Sequence, residues 1–93
     1  MLRITRKANG GIVFKISGHL NSQNVAEIGT LIEAEQRGNR IVLDLTDLRS
    51  VDGEAVKSLE TWQAHSIKLR NCTGYIREWI RRQRVERRSD KGT

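Results

Sequence analysis

The chain has 93 residues, a formal net charge of +6, one cysteine and no proline. This length suits one small domain, and a single cysteine excludes an internal disulfide, so a reducing, cytoplasmic location is expected. No apolar run approaches the roughly 20 residues that cross a membrane, and no apolar signal segment follows the charged N-terminus, so neither a membrane span nor secretion is expected.

The positive charge is concentrated near the C-terminus. Residues 81–93 hold six Lys or Arg and two acidic residues, which gives +4, whereas residues 1–80 hold eleven and nine, which gives +2. We therefore predict a domain at residues 1–80 and a basic C-terminal tail at residues 81–93. The tail is expected to extend the last helix by a turn or two and then to fray or become disordered.

The first half of the chain predicts a hairpin followed by a helix. Alternating apolar residues indicate strands at residues 2–5 and 12–16, and Asn9–Gly11 between them is a typical turn. Asn21 or Ser22 can then cap a helix that ends near Gly38. The apolar face of this helix comprises Val25, Ile28, Leu31 and Ile32.

The second half predicts two further strand–helix units. Consecutive apolar residues within Arg40–Leu45 indicate a buried parallel strand. Asp52 can cap the next helix, Ser66–Leu69 forms a weaker strand, and Thr73 can cap a last helix. The order β-β-α-β-α-β-α predicts an α/β fold: a small mixed sheet of four strands, the first antiparallel, with about three helices. The predicted core comprises Ile16, Ile28, Leu31, Ile41, Leu43, Leu59 and Trp79.

The most informative stretch runs from Arg40 to Ala55, because it reads as a strand, a loop and a helix start. Functional sites in open α/β sheets are commonly built at such places. The chain resembles the STAS domain of bacterial anti-sigma factor antagonists over about residues 1–80. The resemblance rests on the order and spacing of four segments: Ile16–Leu20, Ile41–Leu45, Val51–Asp52 and Ile67–Asn71.

The resemblance implies a regulatory loop, but this chain departs from the family pattern there. Phospho-regulated STAS domains carry Asp, two hydroxyl residues and Gly, and a partner kinase phosphorylates the first hydroxyl. Here Asp52 is kept, Gly53 stands at the acceptor position, Glu54 replaces the second hydroxyl and Ala55 replaces the glycine. We therefore expect a divergent branch without phosphorylation at residues 52–55, where the nearest other hydroxyls belong to Ser50 and Ser58.

Two interpretations remain open for each acidic residue of this loop. Glu54 is either a fixed charge that substitutes for phosphate or an ordinary acidic residue in the first turn of a helix, and the second is favoured. Asp52 is either a helix cap or a partner contact, and the cap is favoured. The predicted partner-binding residues are Ser50, Asp52, Gly53, Glu54 and Lys57.

The sequence gives little support for catalysis or cofactor binding. His19 and His65 are expected in separate loops, with no serine or cysteine nucleophile paired to either. Cys72 lies beside the predicted last helix, and a buried, inert thiol is favoured over a reactive one. The histidines and the cysteine lack metal-ligand spacing, so we expect no metal, no cofactor and no enzymatic activity.

Two functional hypotheses follow. The first is a non-catalytic protein–protein interaction domain in bacterial regulation, and the resemblance implies a kinase-type anti-sigma factor as its partner. The second is a nucleic-acid-associated domain that uses the basic tail. It is less favoured, because no aromatic residues lie among the tail arginines to stack on bases.

Overall fold

A computed structural model describes residues 2–8 and 10–91 of the chain, with side chains described up to Val85. It contains five strands and three helices in the described part. In chain order the elements are β1 (Leu2–Ala8), β2 (Ile12–Leu20), α1 (Ser22–Glu35), β3 (Ile41–Asp44), β4 (Leu48–Val51), α2 (Gly53–Ala64), β5 (Lys68–Arg70) and α3 (Gly74–Lys91).

The strands form one mixed sheet in the order β1-β2-β3-β5, with β4 pairing with the carboxyl-terminal part of β2. β1 is antiparallel to β2, and the other pairings are parallel. The hairpin turn contains Gly10 at φ +69°, a left-handed conformation that glycine adopts without strain. The predicted α/β fold class, with its antiparallel first strand and three helices, is confirmed.

The structure adds β4 to the four predicted strands. The sequence predicts a loop at Leu48–Val51, because a four-residue stretch after a short turn carries little periodicity. Leu48 is nevertheless buried in the core, and the N–H of Gly18 donates to Asp47 O at 3.1 Å. β2 pairs with β3 as far as Lys15 and with β4 from Gly18 onward, and the ladder with β4 is irregular between Gly18 and His19.

The helix caps agree only in part with those predicted from the sequence. Asn21 caps α1 as predicted, since its side-chain oxygen accepts from the N–H groups of Gln23 and Asn24. Thr73 does not act as the expected side-chain cap of α3, because its hydroxyl is buried without a hydrogen-bond partner. α3 continues as helix to Lys91, past the boundary predicted at residue 80, and the division of the chain at that point stays a prediction.

One hydrophobic core joins the sheet to the helices. Five of the predicted core residues are buried: Ile16, Ile28, Ile41, Leu43 and Leu59. Leu31 and Trp79 are only partly buried and pack against that cluster. On β2 the buried apolar residues alternate, so one face of the sheet carries the core and the other faces outward.

Asp44 organises the turn between β3 and β4. Its Oδ1 accepts from the N–H and the hydroxyl of Thr46 at 3.0 and 2.6 Å and from the side-chain amide of Asn71 at 3.3 Å. Its Oδ2 lies 3.4 Å from the guanidinium of Arg70. The Thr46 hydroxyl bond is the main reason that the pKa of Asp44 is lowered to about 2.

We expect Leu43→Ala to lower the free energy of unfolding by about 2–5 kcal/mol, because it removes a side chain with no exposed surface and leaves a cavity. Reversible urea denaturation measures the change. Val85→Ala is the control, since Val85 is 53% exposed and should change stability by no more than about 0.5 kcal/mol. Equal effects of the two substitutions would contradict the assignment of the core face.

We expect Asp44 to contribute acid-sensitive stability. Because its pKa falls from 3.8 to about 2 on folding, the contribution of about 2 kcal/mol is complete above the unfolded value and is lost as the pH falls towards 2. The unfolding free energies of the wild type and Asp44→Asn, measured between pH 7 and pH 2, should therefore converge below about pH 4. Thr46→Val should reduce the same pH dependence, and a difference that is independent of pH would contradict this assignment.

Candidate functional site

The loop after β4 is fixed by the carboxylate of Asp52, which bonds to the first turns of two helices. Oδ1 accepts from the N–H of Ala55 in α2 at 2.8 Å, and Oδ2 accepts from the N–H of Ser22 in α1 at 3.1 Å. The backbone N–H of Asp52 donates to Leu20 O at the end of β2. The favoured interpretation of Asp52 as the cap of α2 is therefore confirmed, and both carboxylate oxygens are engaged within the chain.

Two charged side chains extend into solvent from the first turns of α2. Glu54 and Lys57 form an ion pair at 3.6 Å, and their side chains remain 67% and 59% exposed. Such a pair stabilises a helix only slightly, so both charges can be redirected to another molecule at little cost. A Cβ at Gly53 would meet no atom within 4 Å, which shows that the space beside the start of α2 is open.

Ser50 has a partner that the sequence does not predict. Its hydroxyl lies 2.5 Å from Nδ1 of His19, because His19 pairs with Ser50 across β2 and β4. The expectation that His19 lies in a loop with no serine near it was wrong: β2 continues past Gly18 to Leu20. Among the described residues His19 makes no other hydrogen bond, so no carboxylate orients its ring as in a catalytic triad.

Lys57 also borders a shallow groove of about 370 Å³ between α1 and α2. Its walls include the edge of Trp62, half-buried Val25 and the hydroxyl-bearing residues Thr30 and Thr61. The groove begins within one turn of Glu54. Of the predicted residues, Gly53, Glu54 and Lys57 therefore lie together in the first turns of α2, next to the cap formed by Asp52, whereas Ser50 contacts His19 across β2 and β4.

The other candidate residues lie elsewhere and have local roles. His65 is at the C-terminal end of α2, where its Nδ1 is 2.8 Å from Thr61 O. Cys72 is half-buried rather than fully buried, and this burial raises the pKa of its thiol. A raised pKa disfavours the nucleophilic thiolate, in line with the favoured interpretation of an inert thiol.

A metal centre and a membrane span are two other classes of site. Among the side chains described, those of residues 2–8 and 10–85, no group of three or more His, Cys, Asp or Glu is arranged to hold a metal ion. None of the helices in the described part of the chain is long and apolar enough to cross a membrane.

Comparisons with known proteins give a likeness of fold. No protein-family model matches the chain, and no curated protein matches it. A similar solved structure is described as an uncharacterized protein from the DUF3478 family with a SpoIIAA-like fold, from Shewanella loihica PV-4. It is 14% identical, with a TM-score of 0.49, and the match covers 85% of this chain and 93% of that one. The α/β assignment of this chain rests on its own sheet topology.

We expect Asp52→Ala to lower the free energy of unfolding by about 1–2 kcal/mol, because it leaves the N–H groups of Ala55 and Ser22 without their acceptor. Urea denaturation measures the loss. Glu54→Gln is a matched control two positions away that removes a charge but no capping bond, and it should change stability by less than about 0.5 kcal/mol. If Asp52→Ala is equally mild, the carboxylate does not hold the two helix starts together.

Proposed function

We propose that this chain is a non-catalytic protein–protein interaction module of bacterial regulation, which acts in the cytoplasm through the surface around the start of α2. The observation that carries the proposal is the exposed Glu54–Lys57 pair on a backbone fixed by Asp52. A rigid backbone lowers the conformational entropy lost on binding. Exposed charges of opposite sign set the orientation and the association rate of a partner.

The residues of this surface have different roles in the proposal. Glu54 and Lys57 contact the partner directly. Gly53 leaves room for the partner's backbone to approach the helix start. Asp52 acts as the support that positions them, because both of its oxygens are already engaged. Ser50, paired with His19, forms the rim that faces β2.

More specifically, we propose a partner of the kinase-type anti-sigma class. This part of the proposal comes from the STAS resemblance. No hydroxyl is present at Gly53 or Glu54, so phosphorylation at the family position is not part of the mechanism proposed here. Ser50 and Ser58 are the nearest hydroxyl groups, and their phosphorylation stays a hypothesis. Without a modification, control of binding would come from the concentration of the partner.

Nucleic-acid binding by the basic tail is the second candidate function. The observation in its favour is that α3 runs as a helix from Gly74 to Lys91 and presents exposed Arg81 and Arg82, both paired with Glu78. The tail has no aromatic side chain for stacking, so its binding would depend on phosphate charge alone and would weaken steeply with salt.

We expect Glu54→Lys to weaken capture of the protein partner by about tenfold, since it places a like charge beside Lys57 and reverses the sign presented to the partner. The tagged chain is incubated with bacterial lysate, and bound proteins are quantified by mass spectrometry. Glu27→Lys, at another exposed acidic position, in α1, is the matched control. Arg87→Gln/Arg88→Gln reports on the tail.

The outcomes separate the two candidate functions. A protein retained by the wild type, by Glu27→Lys and by the tail variant, but lost with Glu54→Lys, supports the interaction module. Loss with Arg87→Gln/Arg88→Gln and retention with Glu54→Lys would instead support the basic tail. Circular dichroism of each variant shows whether the fold is intact.

A further inference from the structure

The outward face of the sheet carries several cations close together, although the net charge of residues 1–80 is only +2. The ladder registers align side chains of one face into rows across the strands. One row is Lys7, Val13, Val42 and Lys68. The next is Thr5, Lys15, Asp44 and Arg70, and a third begins with Arg3 and Ser17. We call these ten residues the open sheet face.

The open sheet face is accessible and positively charged. It holds five Lys or Arg and one acidic residue, Asp44, and none of its residues is buried. Arg70 and Asp44 are paired, and Lys15 lies 3.1 Å from Asp47. Within the described residues, Arg3, Lys7 and Lys68 make no ion pair. Three cations thus remain available on a surface about 14 Å wide, given the usual strand spacing of about 4.8 Å.

We infer that the open sheet face is a binding surface for the phosphate backbone of single-stranded nucleic acid. Lysine provides two of the three unpaired cations and is depleted in protein–protein interfaces, but it is an ordinary phosphate ligand, acting as a point charge. Tyr and Trp, which anchor most protein interfaces, are absent from this face. A flat surface a few strands wide suits a short single strand rather than the groove of a duplex.

The chemistry of this face predicts the character of the binding. Its two central valines offer apolar contact to sugars and bases, but no aromatic ring is present for stacking and no amide side chain for recognition of base edges. Binding should therefore be independent of sequence and governed by counterion release. Each phosphate contact should contribute about −0.7 to the slope of log K against log salt.

The test uses the full chain and a fluorescein-labelled 20-nucleotide oligo(dT), with fluorescence anisotropy measured from 50 to 300 mM NaCl. Lys7→Gln/Lys68→Gln removes the two unpaired cations of one row. Losing two contacts should weaken binding about 25-fold at 0.1 M salt and make the slope less negative by about 1.4. Lys7→Arg/Lys68→Arg keeps both charges and should bind like the wild type.

Two control variants distinguish the face from general charge. Arg77→Gln/Arg82→Gln removes two exposed cations from α3, and Arg87→Gln/Arg88→Gln removes two from the tail. Both change the net charge by the same amount as the test variant, and both should lower the affinity less than threefold. Melting curves followed by circular dichroism verify folding, and Lys7 and Lys68 are exposed and unpaired, so stability should hardly change.

Three results would overturn the inference. The first is no detectable binding of oligo(dT) at 50 mM salt. The second is an equal loss of affinity in all three charge-removing variants, which would indicate general attraction by net charge. The third is binding of poly-L-glutamate of equal charge as tightly as oligo(dT), with the same sensitivity to Lys7→Gln/Lys68→Gln, which would assign the face to acidic proteins.

Discussion

The backbone of β2 is the constraint on which the rest of the structure depends, since three other strands take their positions from it. β1 pairs along one side, and on the other side β3 pairs with residues 12–15 and β4 with residues 18–20. Because strand side chains alternate between faces, a slip of one residue would move Phe14 and Ile16 out of the core and bring Lys15 into it. The same register that buries Phe14 therefore also aligns the cations on the opposite face.

Asp52 extends this constraint to the helices. The Asp52 carboxylate accepts one N–H from each of two helix starts, so α1 and α2 must begin side by side. The backbone N–H of Asp52 donates to Leu20 O, and this bond fixes both helix starts to the end of β2. Both oxygens lie near the positive ends of the two helices, where a negative charge is favoured. Because both oxygens of Asp52 are engaged in these bonds, the negative charge that is accessible to a partner near this loop is that of Glu54.

Much of the fold could be predicted from the sequence, because the apolar pattern of α1, β2, β3 and α2 has the correct period for each element. The sequence could not predict what depends on pairing between strands. β4 is too short for its alternation to stand out, and the contact between His19 and Ser50 exists only because β4 joins β2. Likewise, each cation of the open sheet face lies at an ordinary outward position of its own strand, and only the ladder registers place Lys7 and Lys68 in one row. Glu60, buried within α2, is a further departure from a simple apolar stripe.

One row of the open sheet face, the row of Lys7 and Lys68, lies far from the surface around the start of α2. The row that contains Lys7 and Lys68 crosses β2 at Val13, whereas the start of α2 is attached to Leu20, seven residues further along. At about 3.3 Å per residue this is about 23 Å, more than twice the Debye length of about 8–10 Å at physiological ionic strength. Screening therefore leaves little direct electrostatic coupling between the charge of Glu54 and the row of cations. A protein at the start of α2 and a nucleic acid at the row of cations could therefore bind this domain at the same time. Both surfaces depend on the position of β2, so a ligand that shifted the register of β2 would affect the other surface as well.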